Sequence, residues 1–272
     1  GNDQVRFDMI IQTLAPEIEI ITPIRDGKLT RQQEIDYLIE NGIDMSWNKA
    51  KYSVNKGLWG TSVGGEETLT SEKPLPEFAY PSQLKHTDPE KVVLTFSEGE
   101  LVALNGVENN PEVNIEVLNN LASAYAIGRD IHVGDTIVGI KGRVGFEAAA
   151  ALIIIKAHHL LEKHTLTKWQ LQHKDYLSNF YGMHLHEGQY LDPVMRDMEA
   201  FLQSSQDKVS GDVTVTLKPY HFTLDGIKSK HDLMSAKFGS YGEENKGWTA
   251  DEAKGFIKIF GNQNKIYQQV NN

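Results

Sequence analysis

The first forty residues combine a helical and an extended hydrophobic pattern. Apolar residues at Val5, Met9 and Leu14 follow the spacing of a helix, and Pro16 is expected to end it. Four isoleucines then fall within residues 18–24, and this short apolar run predicts a buried strand.

A second helix is predicted after this strand. Thr30, followed three residues later by Gln33, has the form of a capping box, and Asn41-Gly42 is a typical helix end. Helix, strand and helix in this order are typical of a layered α/β domain. We therefore expect residues 1–45 to be the C-terminal part of such a domain.

The pattern changes after Gly42. Residues 48–89 are rich in Gly, Ser, Thr, Lys and Pro with little periodicity, which predicts a long irregular loop. Loops of this length in compact domains are usually functional or disordered. We expect this one to be an ordered functional loop, because large apolar side chains are embedded in it or lie beside it, at Trp47, Tyr52, Leu58 and Trp59.

The rest of the chain predicts an α+β domain. Two hairpins are expected, one formed by Lys91–Phe96 and Glu100–Leu104, the other within Gly211–Leu224. A short strand is expected over residues 136–141. Helices are expected at residues 115–125 with Asn114 as the N-cap, and at residues 147–164, 167–181, 193–206 and 251–259, the last followed by a polar tail.

Composition excludes several classes of function. The 272 residues carry a formal net charge of −10, which argues against binding a nucleic-acid backbone. No cysteine is present, so disulfides, thiol catalysis and zinc–thiolate sites are excluded. The longest apolar run, Ala148–Ile155, is too short to span a membrane. A cysteine-free chain of this kind suits a reducing compartment, and we expect a cytoplasmic protein.

The histidines do not predict a metal site. His158, His159 and His164 fall on one predicted helix at spacings that share no face, and His184 and His186 would share a face only on a strand. Glycine-rich nucleotide loops and the Gly-x-Ser-x-Gly motif of hydrolases are also missing from the sequence.

The first residues form a candidate binding edge. Asn2, Asp3 and Arg6 fall in the first turns of the first predicted helix, where free backbone N–H groups favour a carboxylate. Asn2 can donate and accept hydrogen bonds, Asp3 can bind an ammonium group, and Arg6 can bind a carboxylate through two N–H groups. The residues alone equally allow a helix cap and a surface cation.

At these residues the chain resembles the argininosuccinate synthase family. A highly specific family signature is matched by Gly1-Asn2-Asp3-Gln4-Val5-Arg6-Phe7. Weaker matches follow in the family's order over nearly the whole chain: Ser53 and Ser62, Ala126-Ile127-Gly128-Arg129, Gly139-Ile140-Lys141-Gly142-Arg143, Lys156-Ala157-His158, and Gly255-Phe256-Ile257-Lys258.

The resemblance implies an ATP-dependent ligase of arginine biosynthesis and the urea cycle. Citrulline would attack the α-phosphate of ATP and release pyrophosphate, and aspartate would then displace AMP to give argininosuccinate. By resemblance, Asn2 and Asp3 would bind aspartate, with Asn2 also touching citrulline. The citrulline site would comprise Arg6, Ser53 and Ser62. ATP is expected as a substrate together with Mg²⁺, and no tightly bound cofactor is expected.

The resemblance also implies the domain organisation. Residues 1–45 would be the end of a nucleotide-binding domain, residues 46–241 a synthetase domain, and residues 242–272 an oligomerisation arm. Family members use this arm to assemble tetramers, so a homotetramer is expected. The family's Ser-Gly-Gly-x-Asp-Ser-type pyrophosphate loop is not in this sequence, and a fragment without it is expected to be inactive by itself.

Two positions depart from the family pattern in the citrulline pocket. Gly134 stands where the family has a Glu facing citrulline, and Phe146 stands where it has a citrulline-contacting Tyr. If the Glu pairs with the substrate's ammonium group, its loss leaves a buried charge unpaired at a cost of roughly several kcal/mol. Three interpretations remain open: Asp135 replaces the Glu, citrulline binds differently, or the substrate is an Nα-acylated citrulline. A non-catalytic binding or regulatory homologue is a further alternative.

Overall fold

The computed structural model describes residues 2–43, 52–236, 238 and 247–272. Trp47 and residues 48–51 of the predicted loop lie outside these residues. The described chain is a mixed α/β protein with two antiparallel sheets. It divides into two compact units, Gly1–His231 and Asp232–Asn272. Among the described residues, no helix is long and apolar enough to cross a membrane.

Three helices form the N-terminal segment: α1 (Asn2–Leu14), α2 (Pro23–Gly27) and α3 (Arg31–Glu40). The predicted capping box at α3 is confirmed. The Thr30 hydroxyl accepts a hydrogen bond from the Gln33 backbone N–H at 3.3 Å, and the Gln33 side-chain oxygen accepts one from the Thr30 backbone N–H at 2.8 Å. Two backbone donors at the helix start are satisfied in this way.

The predicted strand over residues 18–24 is wrong. Residues 18–22 form no regular element, and Pro23 begins α2. Ile18, Ile21 and Ile24 are all exposed. A strand needs a neighbour to take its backbone hydrogen bonds, and both sheets of the described chain are built from residue 53 onward.

Two sheets contain the strands of the described chain. The four-stranded sheet has the order β1-β2-β7-β6 and the five-stranded sheet the order β5-β4-β3-β8-β9. The strands are β1 (Ser53–Lys56), β2 (Thr61–Gly64), β3 (Glu90–Ser97), β4 (Glu100–Leu104), β5 (Val107–Glu108), β6 (Arg129–Asp135), β7 (Lys141–Glu147), β8 (Gly211–Lys218) and β9 (His221–Lys228). Both predicted hairpins are confirmed, as β3–β4 and β8–β9.

The main core lies between the five-stranded sheet and two helices, α4 (Pro111–Ser123) and α5 (Ala149–Thr165). Every fourth residue of α5 forms a fully buried stripe, because residues four apart share a helix face: Ala149, Ile153, Ala157 and Leu161. This stripe packs on β3, β8 and β9, and the prediction that the helix is largely buried is confirmed. Helices α6 (Lys168–His186) and α7 (Pro193–Ser205) pack against each other.

Two further local predictions are wrong. Helix α4 begins at Pro111 with Asn110 at its N-cap position, because proline already has the helical φ angle. Asn114 is instead buried inside the helix and donates to the Leu101 carbonyl at 3.3 Å. Residues 136–140 are a turn between β6 and β7 rather than a strand, with Gly139 at a φ of +81°.

The long loop is more regular than expected. Strands β1 and β2 form a hairpin within it, and two short 3-10 turns follow. Tyr52 packs against the small core under this sheet, as expected of an ordered segment. Leu58 and Trp59 lie at the hairpin tip and are about half exposed.

The unit Asp232–Asn272 contains the helices α8 (Ala250–Phe260) and α9 (Asn262–Asn271). The predicted terminal helix is confirmed as α8, and the predicted polar tail forms α9. Thr249 caps α8 through a capping box with Glu252. Phe256 and Phe260 stack at 5.2 Å between ring centroids, yet both are largely exposed.

Candidate active site

One face of the four-stranded sheet carries several predicted substrate residues. Ser62 of β2 lies directly opposite Phe146 of β7. Ser53 of β1 lies opposite Gly64, which is two residues beyond Ser62 on β2. Side chains alternate along a strand, and residues directly opposite each other point to the same side. Ser53, Ser62 and Phe146 therefore share one face.

Gly134 belongs to the same face. Phe146 lies opposite Asp130 of β6, and Asp130, His132 and Gly134 are spaced two residues apart along that strand. A Cβ atom placed on Gly134 would lie 2.7 Å from Nε2 of His132, an exposed ring that can rotate away. The face thus presents hydroxyls, an aromatic ring, an imidazole and the Asp130 carboxylate, but no carboxylate at position 134.

The opposite face of this sheet is covered by a loop segment and packs a small hydrophobic core. Val63 is fully buried there against Leu75 and Ala79. Arg143 of β7 fastens the segment that covers this face, donating to the backbone carbonyls of Glu67 at 2.9 Å and Thr70 at 2.6 Å, and also to that of Lys73. Each bond satisfies a loop carbonyl with a charged donor.

Arg129 has a similar anchoring role. Its side chain is 8% exposed and donates to the Glu77 carboxylate at 2.5 Å and to the Ser82 carbonyl. Its guanidinium group also lies over the Tyr80 ring, 4.8 Å from the centroid. Arg129 and Arg143 both lie in segments that resemble family motifs, and in this chain both hold the loop that supports the sheet.

The start of α1 lies beside the β6–β7 turn. The Asn2 side-chain oxygen accepts a hydrogen bond from the backbone N–H of Ile137 at 2.9 Å. Among the described residues its amide nitrogen has no partner, so both of its donors are available. Gly188, at a φ of +79°, allows α1 to approach the end of α6, because a Cβ atom there would lie 2.7 Å from the Met9 methyl carbon.

Arg6 is held by groups from two helices. Its Nε donates to the His186 carbonyl at 2.7 Å, and its Nη1 donates to Asp3 at 2.7 Å. Its Nη2 lies 3.1 Å from Nδ1 of His186. The side chain is 31% exposed, and one N–H group remains on each terminal nitrogen. These two N–H groups are available to donate to a carboxylate.

Asp3 and Asp135 also have cationic partners. The Asp3 side chain is bonded to Arg6 but is 81% exposed, so it can still accept from a ligand. Asp135 follows Gly134 on β6 and therefore points to the other face of the sheet. Its carboxylate lies 2.6 Å from the Lys141 ammonium group. Asp135 thus does not fill the place left by the glycine in this structure.

Comparison with known proteins covers nearly the whole chain. Residues 1–44 match the arginosuccinate synthase N-terminal HUP domain, and residues 52–267 match the arginosuccinate synthase C-terminal domain. The argininosuccinate synthase of Dictyoglomus turgidum is 38% identical over 269 residues, which are 98% of this chain and 68% of the relative. Those of Xanthomonas campestris and Methanocaldococcus jannaschii are 37% and 34% identical, over 100% and 98% of this chain and 69% and 68% of the relatives.

The chain belongs to the argininosuccinate synthase family. The family is one of carbon–nitrogen ligases. The helical N-terminal segment lies within the residues that match the HUP domain.

His186 and His132 were missed by the sequence analysis. His186 was assigned no role because it would share a face with His184 only on a strand, which argued against a metal site, and both residues lie on α6. His132 was not singled out at all. The spacing of His132 and Gly134 on one strand could have revealed that they share a face, but no local signal connects His186 with Arg6.

A buried charged cluster lies outside this site. Glu162 of α5 is fully buried and accepts hydrogen bonds from Lys174 of α6 at 2.5 Å and from Gln206 at 2.9 Å. Burial alone would raise the pKa of Glu162, but these donors and the nearby imidazole of His158 lower it below its ordinary value. Burial lowers the pKa of His158, so its ring is neutral at pH 7 and we assign the effect on Glu162 mainly to Lys174.

No metal centre is visible in the part of the chain that the structure describes. In residues 2–43, 52–236, 238 and 247–272, no group of three or more His, Cys, Asp or Glu side chains could hold a metal ion. An open cleft of about 630 Å³ lies beside α1 instead, lined in part by Asn2, Met9, Arg25 and Val138.

Proposed function

We propose that this chain forms the amino-acid-binding part of an ATP-dependent ligase that joins citrulline and aspartate into argininosuccinate. The ureido oxygen of citrulline attacks the α-phosphorus of ATP and pyrophosphate leaves. The amine of aspartate then attacks the activated ureido carbon, and AMP leaves. ATP, with Mg²⁺ as its counter-ion, is a substrate in this scheme.

One observation carries the proposal. The first turns of α1 meet the β6–β7 turn and the end of β6 through two hydrogen-bonded links, one from Asn2 to Ile137 and one from Arg6 through His186 to the Asp135 carbonyl. These links support the proposal that Asn2, Asp3 and Arg6 bind the two amino acids beside the β6–β7 turn and the strand that carries Gly134. Holding two amino acids at one site is what a ligation requires, because it replaces a bimolecular encounter with a positioned one.

Each proposed role fits the hydrogen-bonding capacity that remains. Asn2 retains amide donors for a carboxylate of aspartate, and the exposed Asp3 carboxylate can accept from its ammonium group. Arg6 retains one N–H group on each terminal nitrogen for the α-carboxylate of citrulline. Ser53 and Ser62 supply hydroxyls on the sheet face.

A second candidate substrate is an Nα-acylated citrulline. The observation in its favour is the sheet face around Gly134, which has no side chain at that position, and the engagement of Asp135 with Lys141 on the other face. Because position 134 has no carboxylate, the ammonium group of free citrulline would lack the partner that the family's Glu is expected to supply, and the carboxylate that this face does carry, Asp130, lies four residues away along β6. An amide nitrogen carries no charge and needs none, and an acyl group can use the space above the glycine.

A substrate comparison tests both candidates. The full-length enzyme is supplied with ATP, aspartate, and either citrulline or Nα-acetylcitrulline, and AMP release is measured. AMP release that depends on aspartate and on one of the two citrulline compounds supports the ligase function. No AMP release with citrulline and none with Nα-acetylcitrulline would refute it. Preference for free citrulline would end the acyl hypothesis.

The variant Gly134→Glu sharpens this comparison. Only the exposed His132 ring must move to admit the new side chain, so the variant should fold. If the acylated compound is the substrate, Gly134→Glu should lower the activity with that compound. The same variant should raise the activity with free citrulline about tenfold, which corresponds to about 1.4 kcal/mol of binding free energy. Gly226→Glu, on β9 of the other sheet, is the control for added charge, because a Cβ atom there would meet nothing within 4 Å.

Two further expectations belong with this proposal. Residues 1–272 alone should release no AMP, because the pyrophosphate loop expected of the family is not among them. The large exposed apolar side chains of α8 and α9, including Phe256, Ile259 and Phe260, support assembly through this unit into the expected homotetramer. Sedimentation of the full-length enzyme tests the assembly.

A further inference from the structure

The imidazole of His186 joins two separate parts of the site. Its Nδ1 lies 3.1 Å from Nη2 of Arg6, and its Nε2 lies 3.1 Å from the carbonyl oxygen of Asp135. His186 is the last residue of α6, Arg6 belongs to α1 and Asp135 ends β6. One ring therefore contacts both the predicted carboxylate-binding arginine and the strand that carries Gly134.

These contacts determine the protonation state of the ring. An arginine N–H group can only donate, so Nδ1 of His186 must be the acceptor and carry no proton. Nε2 then carries the proton and donates to the carbonyl of Asp135. Both interactions require the neutral imidazole with hydrogen on Nε2.

The ring also decides which N–H groups of Arg6 remain available. The backbone carbonyl of His186 binds Nε, Asp3 binds Nη1, and the imidazole binds Nη2. With one N–H of each group committed, the orientation of the guanidinium plane is fixed, and one N–H group on each terminal nitrogen is left for a ligand. Without the imidazole, Nη2 has no partner among these residues, and the plane is less well oriented.

We propose that His186 is a positioning residue that orients Arg6 for the α-carboxylate of the citrulline-type substrate. This inference rests on the proposed function of Arg6. Free and Nα-acylated citrulline share the α-carboxylate, so the role is the same for either. His186 touches no reacting atom in this scheme, and its effect is on substrate binding rather than on the chemical step.

Two substitutions test the acceptor nitrogen Nδ1 of His186 separately from the rest of the ring. His186→Phe keeps a planar ring and the backbone carbonyl but removes both nitrogens. His186→Asn supplies an oxygen that can replace Nδ1 as the acceptor for Arg6. In the full-length enzyme, His186→Phe should raise the KM for the citrulline-type substrate about tenfold, with kcat and the KM for aspartate unchanged. His186→Asn should restore the KM to within about threefold of the wild type.

His184→Phe is the matched control. His184 lies on the same helix, but its Nδ1 contacts the Phe180 carbonyl of that helix and its ring packs on the Phe180 ring. This variant should leave the KM for the citrulline-type substrate unchanged. An unchanged KM in His186→Phe, or equal changes for both amino-acid substrates, would overturn the inference.

An independent measurement separates this inference from the proposed function. The ¹⁵N chemical shifts of the His186 ring in residues 1–272 report which nitrogen carries the proton. A protonated Nε2 with an unprotonated Nδ1 is expected, and a proton on Nδ1 would refute the arrangement. If the wild-type enzyme releases no AMP with either citrulline, the proposed function fails, whatever the tautomer.

Discussion

The substitution Glu162→Gln tests the buried charged cluster. The Glu162 carboxylate is fully buried and bonded to Lys174 at 2.5 Å and to Gln206 at 2.9 Å. Glutamine has nearly the same shape, and its side-chain oxygen can still accept from Gln206. The variant therefore removes mainly the negative charge opposite Lys174.

The magnitude follows from the surroundings of Lys174. The Lys174 side chain is 14% exposed, and the remaining carboxylate nearby, Asp175, lies 3.9 Å away. Removing one partner of a buried pair costs about 3–5 kcal/mol, because the other charge stays buried. Because Lys174 is partly exposed, we expect a loss of unfolding free energy at the lower end of this range, about 3 kcal/mol. At about 2–4 °C per kcal/mol, Tm should fall by about 6–12 °C.

The effect should also depend on pH. The pKa of Glu162 is lower in the folded protein than its ordinary value of 4.5. Its charged form therefore stabilises the fold fully above about pH 4.5, and this contribution is lost as the pH falls through the lower, folded-state pKa. The stability difference between wild type and Glu162→Gln should be constant near neutral pH and shrink in acid.

Urea denaturation of residues 1–272 at several pH values measures this difference. Asp175→Asn is the matched control, because Asp175 is 51% exposed and its pairing with Lys174 should contribute less than about 1 kcal/mol. Equal losses in the two variants, or a difference that does not shrink in acid, would refute the assignment of a stabilising charge to Glu162.

Two further substitutions test packing near the sheets. Gly128→Ala should lower the free energy of unfolding, measured by urea denaturation, by at least about 2 kcal/mol. The residue has a φ of +85°, and a Cβ atom would lie 2.6 Å from the carbonyl carbon of Ala148. A loss below about 1 kcal/mol would contradict this. Tyr125→Phe should lower the free energy of unfolding by about 1 kcal/mol, because the buried hydroxyl donates to the Asp88 carbonyl at 2.9 Å. An unchanged urea midpoint would count against that hydrogen bond.

Local patterns predicted the elements whose stability is local. The capping box of Thr30 and Gln33 depends on residues three apart, and the buried stripe of α5 depends on helical spacing. Both hairpins join strands that are adjacent in sequence. The strand predicted over residues 18–24 failed because a strand also needs a distant partner, which an apolar run alone does not specify.

For the site, the sequence by itself determined the family resemblance and the candidate residues, including the departures at Gly134 and Phe146. Their roles remain predictions. Only the tertiary structure decided that Ser53, Ser62, Gly134 and Phe146 share one sheet face, since this depends on the register between strands.

The tertiary structure also decided which groups surround Arg6. His186 follows Arg6 by 180 residues, and no helical or strand period relates them. Their contact exists because α1 packs closely at Gly188, beyond the end of α6, and because β6 ends beside both helices. The sequence determined which chemical groups are present, whereas long-range packing decided which of them meet, because hydrogen bonds form through space and not along the chain.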